Sequence, residues 1–130
     1  MPITSQPKIV IDLDQTLTLG CDAGDYVNAP PNISVIKRLQ QYREQGFEII
    51  IATARNMRTH DGNIGKINAN TLPVIIDWLA KHQVPYDEIH VGKPWCGQGG
   101  FYVDDKAIRP NEFVDNSYEE ILQMIAGITT

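Results

Sequence analysis

Residues 9–18 of the sequence read IVIDLDQTLT. It opens on an apolar, β-branched run, which is typical of a strand buried on both faces of a sheet. The run ends in Asp12 and Asp14, two carboxylates separated by one residue. A strand does not need these carboxylates in order to pack in a core. The stretch therefore predicts a buried strand whose carboxyl end carries chemistry.

Similar apolar runs alternate with helical patterns along the rest of the chain. The predicted strands cover residues 8–13, 47–54, 88–92 and 100–105. The predicted helices cover residues 32–46, 71–83 and 117–127, and the last begins with a Ser117/Glu120 capping box. This alternation predicts βαβ units and therefore an α/β fold with a mainly parallel sheet between layers of helices.

Length and charge limit the classes of protein to which the chain can belong. Its 130 residues predict a single domain over 1–130, and its net charge of −5 argues against a nucleic-acid partner, which would require a basic surface. No apolar run reaches membrane-spanning length and residues 1–8 lack a signal-peptide pattern, so we expect a cytoplasmic protein with no membrane partner. Cys21 and Cys96 form no CxxC pair, which disfavours a zinc site or a disulfide framework.

Polar residues gather where the predicted strands end. They are Asp12 and Asp14 after the first strand, Thr53 and Arg55 after the second, Lys93 after the third, and Asp104 and Asp105 at the end of the fourth. Because the carboxyl ends of parallel strands meet at one edge of a sheet, we expect these side chains to converge there.

Convergent carboxylates need a cation. Two carboxylates about 4 Å apart repel by roughly 4 kcal/mol at the effective dielectric of a partly buried site. All-oxygen ligands with open positions suit Mg²⁺, which keeps several waters or phosphate oxygens in its shell. A metal, the Lys93 ammonium and the Thr53 hydroxyl around one pocket would together receive a phosphoryl group.

These motifs resemble the haloacid dehalogenase-like phosphohydrolases. The likeness lies in DLDQTLT, a Thr closing the second strand, Lys93 after the third, and DD closing the fourth, in that order over residues 8–105. Longer stretches, among them GDYVNAPP, TARNMRTHDGNIGKINANTLPVIIDWL and GKPWCGQGGFYVDDKAIRP, are similar to a small capsule-biosynthesis phosphatase family within that superfamily. The resemblance implies a three-layer α/β/α, Rossmannoid fold with a minimal cap or none. Gln15 stands where many members have Gly.

The resemblance also implies a reaction, hydrolysis of a phosphomonoester through an aspartyl-phosphate. Asp12 would be the nucleophile, and Asp14 would protonate the leaving group and then deprotonate water. The intervening Leu13 would point into the core and anchor the pair. Thr53 and Lys93 would hold the non-bridging phosphoryl oxygens. The implied ligands of Mg²⁺ are Asp12, Asp14 through its backbone carbonyl, Asp104 and, directly or through water, Asp105.

The substrate and its contacts are less closely defined by the sequence. The family resemblance suggests a phosphorylated sugar, sugar acid or polyol of capsule or surface-polysaccharide biosynthesis. Residues 55–70 form a long polar loop, and from it we expect Arg55, Asn63 and Lys66 to contact the substrate, since Arg55 can fork a carboxylate or a phosphate. Because no large cap is present to enclose the site, a homo-oligomer is our hypothesis.

Three other interpretations stay open at this level. The same fold and site residues could serve a nucleotide phosphatase or a phosphotransferase, although few aromatic residues in the loops could stack on a base. A non-catalytic phosphate-binding regulatory module could also keep the fold, but it would be expected to have lost a site residue. A receiver-type module also places carboxylates, a Thr and a Lys at strand ends, yet it does not carry Asp-x-Asp-x-Thr on the first strand.

Overall fold

The computed structural model describes residues 7–20 and 24–127, whose contacts fall into two compact units, residues 1–95 and 96–130. The prediction of a single domain stays a prediction. The strands are β1 (Lys8–Ile11), β2 (Glu48–Ala52) and β3 (Glu88–His90). The helices are α1 (Ile33–Glu44), α2 (Ile64–Asn70), α3 (Leu72–Lys81), α4 (Pro110–Asp115) and α5 (Tyr118–Ile125), and a 3₁₀ turn covers Tyr26–Asn28.

The sheet of the first unit is parallel and has the order β1–β2–β3. Ile11 lies beside Ile51, and Ala52 lies beside His90, so all three carboxyl ends open on the same edge. Strand β2 is central, and its Ile49 and Ile51 are completely buried. The predicted α/β fold with a parallel sheet is confirmed.

Helices α1 and α3 each bury one apolar face within this unit. Helix α1 is capped by the Asn32 side chain, which accepts a hydrogen bond from the Val35 N–H, and its buried residues recur at helical spacing. In α3, Trp78 is buried and its indole N–H donates to the carbonyl of Ala29 at 2.8 Å. This bond ties the chain before α1 to α3. No helix in the described ranges 7–20 and 24–127 is long and apolar enough to cross a membrane.

Helix α2 is the element of this unit that the pattern of polar residues conceals. The polar composition of residues 55–70 predicts a loop, and only Ile67 of α2 is buried. The helix begins because the Asn63 side chain accepts a hydrogen bond from the Lys66 N–H at 3.1 Å. A short helix with one apolar anchor has too little periodicity to be predicted from its sequence.

The second unit contains α4 and α5 but not the strand predicted over 100–105, and that prediction is wrong for the described structure. The run lacks a ladder partner in this unit, and Phe101 and Val103 are 77% and 90% exposed. The backbone where the run begins has a conformation that requires glycine. Gly99 has φ +81°, and a Cβ on Gly100 would collide with the Cys96 carbonyl. The Ser117/Glu120 capping box of α5 is confirmed in both directions.

Candidate active site

The turn after β1 places two aspartates on either side of a buried leucine. The carbonyl of Leu13 accepts hydrogen bonds from the N–H groups of Leu17 and Thr18, which folds the chain sharply back on itself. Leu13 is completely buried, as predicted, whereas Asp12 and Asp14 are partly exposed. Gln15 follows with φ 59°, a left-handed conformation that favours glycine. The buried leucine thus fixes the position of both carboxylates.

Asp12 faces the loop that follows β3. Its Oδ1 accepts a hydrogen bond from the Leu13 N–H at 2.8 Å and lies 3.9 Å from the Lys93 Nζ. Burial raises the pKa of the Asp12 carboxyl above its ordinary value, and the charge of Asp14 adds to that rise, against opposing effects of Lys93, the Leu13 N–H and Arg55. The partners that the protein supplies therefore do not fully compensate a negative charge on Asp12.

Asp14 is held by a buried guanidinium. Arg55 donates from Nη2 to Asp14 Oδ1 at 2.7 Å and from Nε to Asp14 Oδ2 at 3.1 Å. The Arg55 side chain is only 1% exposed, and its carbon Cζ lies 4.1 Å from the centre of the Tyr26 ring. Its Nη1 is buried and has no hydrogen-bond acceptor among the described residues. The two-point geometry fixes the plane of the Asp14 carboxylate as well as its position.

Thr53 joins the ends of β2 and β3 to this pair. Its N–H donates to the carbonyl of His90 at 2.9 Å, and its carbonyl accepts from the N–H of Lys93 at 3.1 Å. Its hydroxyl oxygen accepts from the N–H of Arg55 at 3.1 Å, so the hydroxyl proton itself is still available for donation. Asp12, Asp14, Thr53, Arg55 and Lys93 form one connected set of contacts.

Other predicted site residues are placed differently. Asn63 caps α2, and Lys66 contributes a backbone N–H to that cap while its exposed side chain points away from the core. Arg55 has an internal partner in Asp14 rather than an exposed fork. The assignment of these three residues to substrate binding stays a prediction.

Asp104 and Asp105 belong to the second unit, at a turn rather than at the end of a strand. The Asp104 Oδ1 accepts a hydrogen bond from the Lys106 N–H at 2.9 Å, and this bond is the main cause that lowers the pKa of Asp104. The role of both aspartates as metal ligands stays a prediction.

Two aromatic residues near these loops were not assigned a role by the sequence. Tyr26 contacts Arg55, and its neighbourhood GDYVN carries the family resemblance without indicating which residue of the chain Tyr26 would contact. Trp95 is half-exposed, with the Arg58 guanidinium 6.0 Å from the centre of its ring. A contact between residues so distant in sequence leaves no local signal.

The donor set in the first unit is suited to a magnesium ion. No group of three or more His, Cys, Asp or Glu side chains is arranged to hold a metal within the described part of the chain. Asp12 and Asp14 nevertheless offer carboxylate and backbone oxygens, the ligands that Mg²⁺ prefers. Burial raises the pKa of Asp12, which means that its charged form is not fully stabilised by the protein. A bound cation would stabilise that charged form. These residues therefore fit the predicted ion.

Comparison with known proteins identifies the family. The model for the haloacid dehalogenase-like hydrolases matches residues 9–77, more than half of the chain, and includes the two aspartates, Thr53 and Arg55. A protein from Vibrio cholerae of known crystal structure is 56% identical, with a TM-score of 0.91 over 95% of this chain and all of that one. A chain of a Pnkp1/Rnl/Hen1 complex is 25% identical, with a TM-score of 0.50 over 87% of this chain and 36% of that one. No protein of curated function matches. The chain belongs to the haloacid dehalogenase-like hydrolases.

Proposed function

We propose that this hydrolase is a Mg²⁺-dependent phosphomonoesterase that acts through an aspartyl-phosphate. The observation that carries the proposal is the partly buried Asp12 carboxylate, 3.9 Å from the Lys93 ammonium and one residue from the fixed Asp14. A nucleophile, a proton carrier and a cation lie at one edge of the sheet, which is the constellation that transfer of a phosphoryl group to a carboxylate requires.

In the first half of the reaction, a carboxylate oxygen of Asp12 forms a bond to phosphorus while the bond to the ester oxygen breaks. Asp14 in its protonated form gives its proton to the departing oxygen, which leaves as an alcohol. Lys93 and the Thr53 hydroxyl donate hydrogen bonds to the non-bridging oxygens, where charge accumulates in the transition state.

In the second half, the Asp14 carboxylate takes a proton from water and the resulting hydroxide attacks phosphorus. The acyl-phosphate bond breaks, inorganic phosphate leaves and Asp12 is regenerated. Asp12 and Asp14, with Asp104 and Asp105 by resemblance, would hold Mg²⁺, which supplies the positive charge that lets a carboxylate approach a phosphate dianion.

The proposed substrate is a small phosphorylated sugar, sugar acid or polyol of capsule or surface-polysaccharide biosynthesis. It rests on the resemblance of the longer sequence stretches, since fold alone does not determine substrate. We also propose a cytoplasmic location, because no apolar run of the sequence reaches membrane-spanning length. Assembly into a homo-oligomer is proposed because the chain has no large cap to enclose the site.

A panel of monophosphates tests the proposal. Phosphate release is measured from sugar, sugar-acid, polyol and nucleotide monophosphates, with Mg²⁺ and with a chelator, for the wild type and for Asp12→Asn. We expect release that requires both the metal and Asp12, with a sugar, sugar acid or polyol ranked first. Release by Asp12→Asn at the wild-type rate would refute the aspartyl-phosphate, and a nucleotide ranked first would refute the substrate class.

A further inference from the structure

The residues that follow the Tyr26–Asn28 turn are anchored to α3 and to the segment that follows the Asp14 turn. The N–H of Leu19 donates to the carbonyl of Pro30, and the N–H of Asn32 donates to the carbonyl of Leu17, both at 2.8 Å. The indole of Trp78 holds the carbonyl of Ala29 immediately after the turn. Tyr26 therefore lies in a turn whose following residues are fixed by backbone and indole hydrogen bonds.

The Arg55 guanidinium lies over the ring of Tyr26. At 4.1 Å from Cζ to the ring centre, the contact has the geometry of a cation–π interaction, which is strongest where the cation is desolvated. Arg55 satisfies this condition because its side chain is almost completely buried. The guanidinium is thus held between the ring of Tyr26 and the carboxylate of Asp14.

Both contacts constrain the same guanidinium. A bidentate bond fixes the orientation of the Asp14 carboxylate relative to the guanidinium, and the ring of Tyr26 fixes the guanidinium relative to the scaffold. Each carboxylate oxygen keeps a second lone pair, so the paired Asp14 can still exchange a proton with a substrate or water.

We infer that Tyr26 and Arg55 are positioning residues that together orient the Asp14 carboxylate for proton transfer. This inference rests on the proposed function, because the proton transfer is the step that the orientation serves. It assigns Arg55 to Asp14 rather than to the phosphoryl group of the substrate, and it gives the Tyr26–Asn28 turn a part in the reaction.

A leaving-group comparison separates orientation of Asp14 from binding of phosphate. The value of kcat/KM reports events up to the first irreversible step, which here is release of the leaving group. An alkyl phosphate needs a proton from Asp14 in that step. A dinitrophenyl phosphate does not, because its phenolate is already a stable anion.

The variants are Tyr26→Leu, which keeps apolar bulk without an aromatic face, and Arg55→Lys, which keeps the charge without the fork. Tyr26→Phe is the conservative variant, and Val27→Ala, at a 60% exposed position of the same turn, is the matched control.

We expect kcat/KM for the preferred alkyl phosphate of the panel to fall about 10-fold in Tyr26→Leu and about 100-fold in Arg55→Lys, the scale of a misplaced acid. For dinitrophenyl phosphate we expect changes below about 3-fold, since no proton is required there. Val27→Ala should match the wild type with both compounds, and Tyr26→Phe, which keeps the ring, should lose less kcat/KM for the alkyl phosphate than Tyr26→Leu does.

Equal losses with both compounds would overturn the inference, because they would place Arg55 on the phosphoryl group. An unchanged kcat/KM in Tyr26→Leu would overturn the part assigned to Tyr26. Crystal structures of Tyr26→Leu and Tyr26→Phe provide a readout that does not depend on activity. We expect the Asp14–Arg55 fork to be lost in the first and kept in the second, and a fork intact in Tyr26→Leu would overturn the inference. A wild type that hydrolyses neither compound would instead refute the proposed function and with it the part in proton transfer, and the structures would then decide only whether Tyr26 and Arg55 orient the Asp14 carboxylate.

Discussion

Carboxylates at the two ends of the same sheet have opposite electrostatic surroundings. At the amino end, Asp87 precedes β3, and its Oδ2 accepts from Arg43 at 2.7 Å and from the N–H of Ile49 at 2.8 Å. The hydrogen bond from Arg43, followed by that from Ile49, lowers the pKa of Asp87. At the carboxyl end, burial raises the pKa of Asp12 despite the nearby Lys93.

The difference distinguishes a structural carboxylate from one suited to a ligand. Asp87 joins α1, β2 and β3, and its charge is stabilised by the protein itself. Asp12 keeps a charge that the protein only partly compensates, and such groups concentrate at functional sites. Substitutions at the two ends should therefore have different effects on activity and on stability.

The largest expected effect is the loss of activity in Asp12→Asn. Removing a nucleophile costs several orders of magnitude in kcat, so we expect a loss of roughly 10⁴-fold or more. The fold should not weaken, because the neutral amide avoids the desolvation that raises the pKa of Asp12. Steady-state rates and thermal unfolding with a chelator check both statements. A marked fall in the Tm of Asp12→Asn would show that its charge stabilises the fold, as that of Asp87 does.

Mg²⁺ should stabilise the folded protein by binding at the carboxyl end of the sheet, so its effect should depend on Asp12 and not on Asp87. A ligand that binds only the folded state adds about 2.7 kcal/mol at 100 times its Kd. We therefore expect MgCl₂ to raise the Tm of the wild type and of Asp87→Asn equally, and to raise that of Asp12→Asn less. Calorimetric scans at matched ionic strength measure the shifts, with NaCl as the control. Equal shifts in all three proteins would place the ion elsewhere.

A smaller effect is the pH dependence of the contribution of Asp87 to stability. Its pKa is lowered in the folded state, so its contribution is fully present above the unfolded value of about 4 and is lost as the pH falls through the lower folded value. Asp87→Asn should thus lower the free energy of unfolding at neutral pH, and the difference should shrink in acid.

The metal-free protein should show the opposite slope for Asp12. Its pKa is raised in the folded state, so the unfolded chain ionises first, and stability falls as the pH rises from about 4 to the folded value. Urea titrations of the wild type, Asp12→Asn and Asp87→Asn between pH 2 and 7 measure how each contribution to the free energy of unfolding changes with pH. Asp77→Asn, on the exposed face of α3, is the control. Slopes of the same sign would remove the distinction between the two ends.

The elements that the sequence predicts correctly are those with a local periodic signal. Strands β1 to β3 and helices α1, α3 and α5 carry runs of apolar residues or capping boxes, and each forms within the predicted range. Helix α2 was missed because one buried residue, Ile67, makes no period. The strand over 100–105 was predicted from its composition, but a strand also requires a pairing partner, which composition does not encode.

The contacts of the site also divide into those that the sequence predicts and those that it does not. The gathering of Asp12, Thr53 and Lys93 follows from parallel topology, since each lies just beyond a strand end. The partner of Arg55 could not be predicted, because a guanidinium forks a carboxylate of the protein as readily as one of a ligand. Its contact with Tyr26 depends on how a turn 29 positions away in sequence is anchored, and no motif encodes that distance.

The smallest expected effect concerns the backbone of the two ends. Both need a residue with positive φ: Gly46, at φ 93°, leads into β2 at the amino end, and Gln15, at φ 59°, follows Asp14 at the carboxyl end. A side chain in this region costs about 1 kcal/mol, which glycine avoids at the expense of greater entropy in the unfolded chain. We expect Gln15→Gly to stabilise the protein by less than about 1 kcal/mol, whereas Gly46→Ala should destabilise it by about that amount or more. Chemical denaturation of the two variants measures the pair. A destabilised Gln15→Gly would mean that the Gln15 side chain makes a compensating contact, and the strained turn would then be part of the stability of the site.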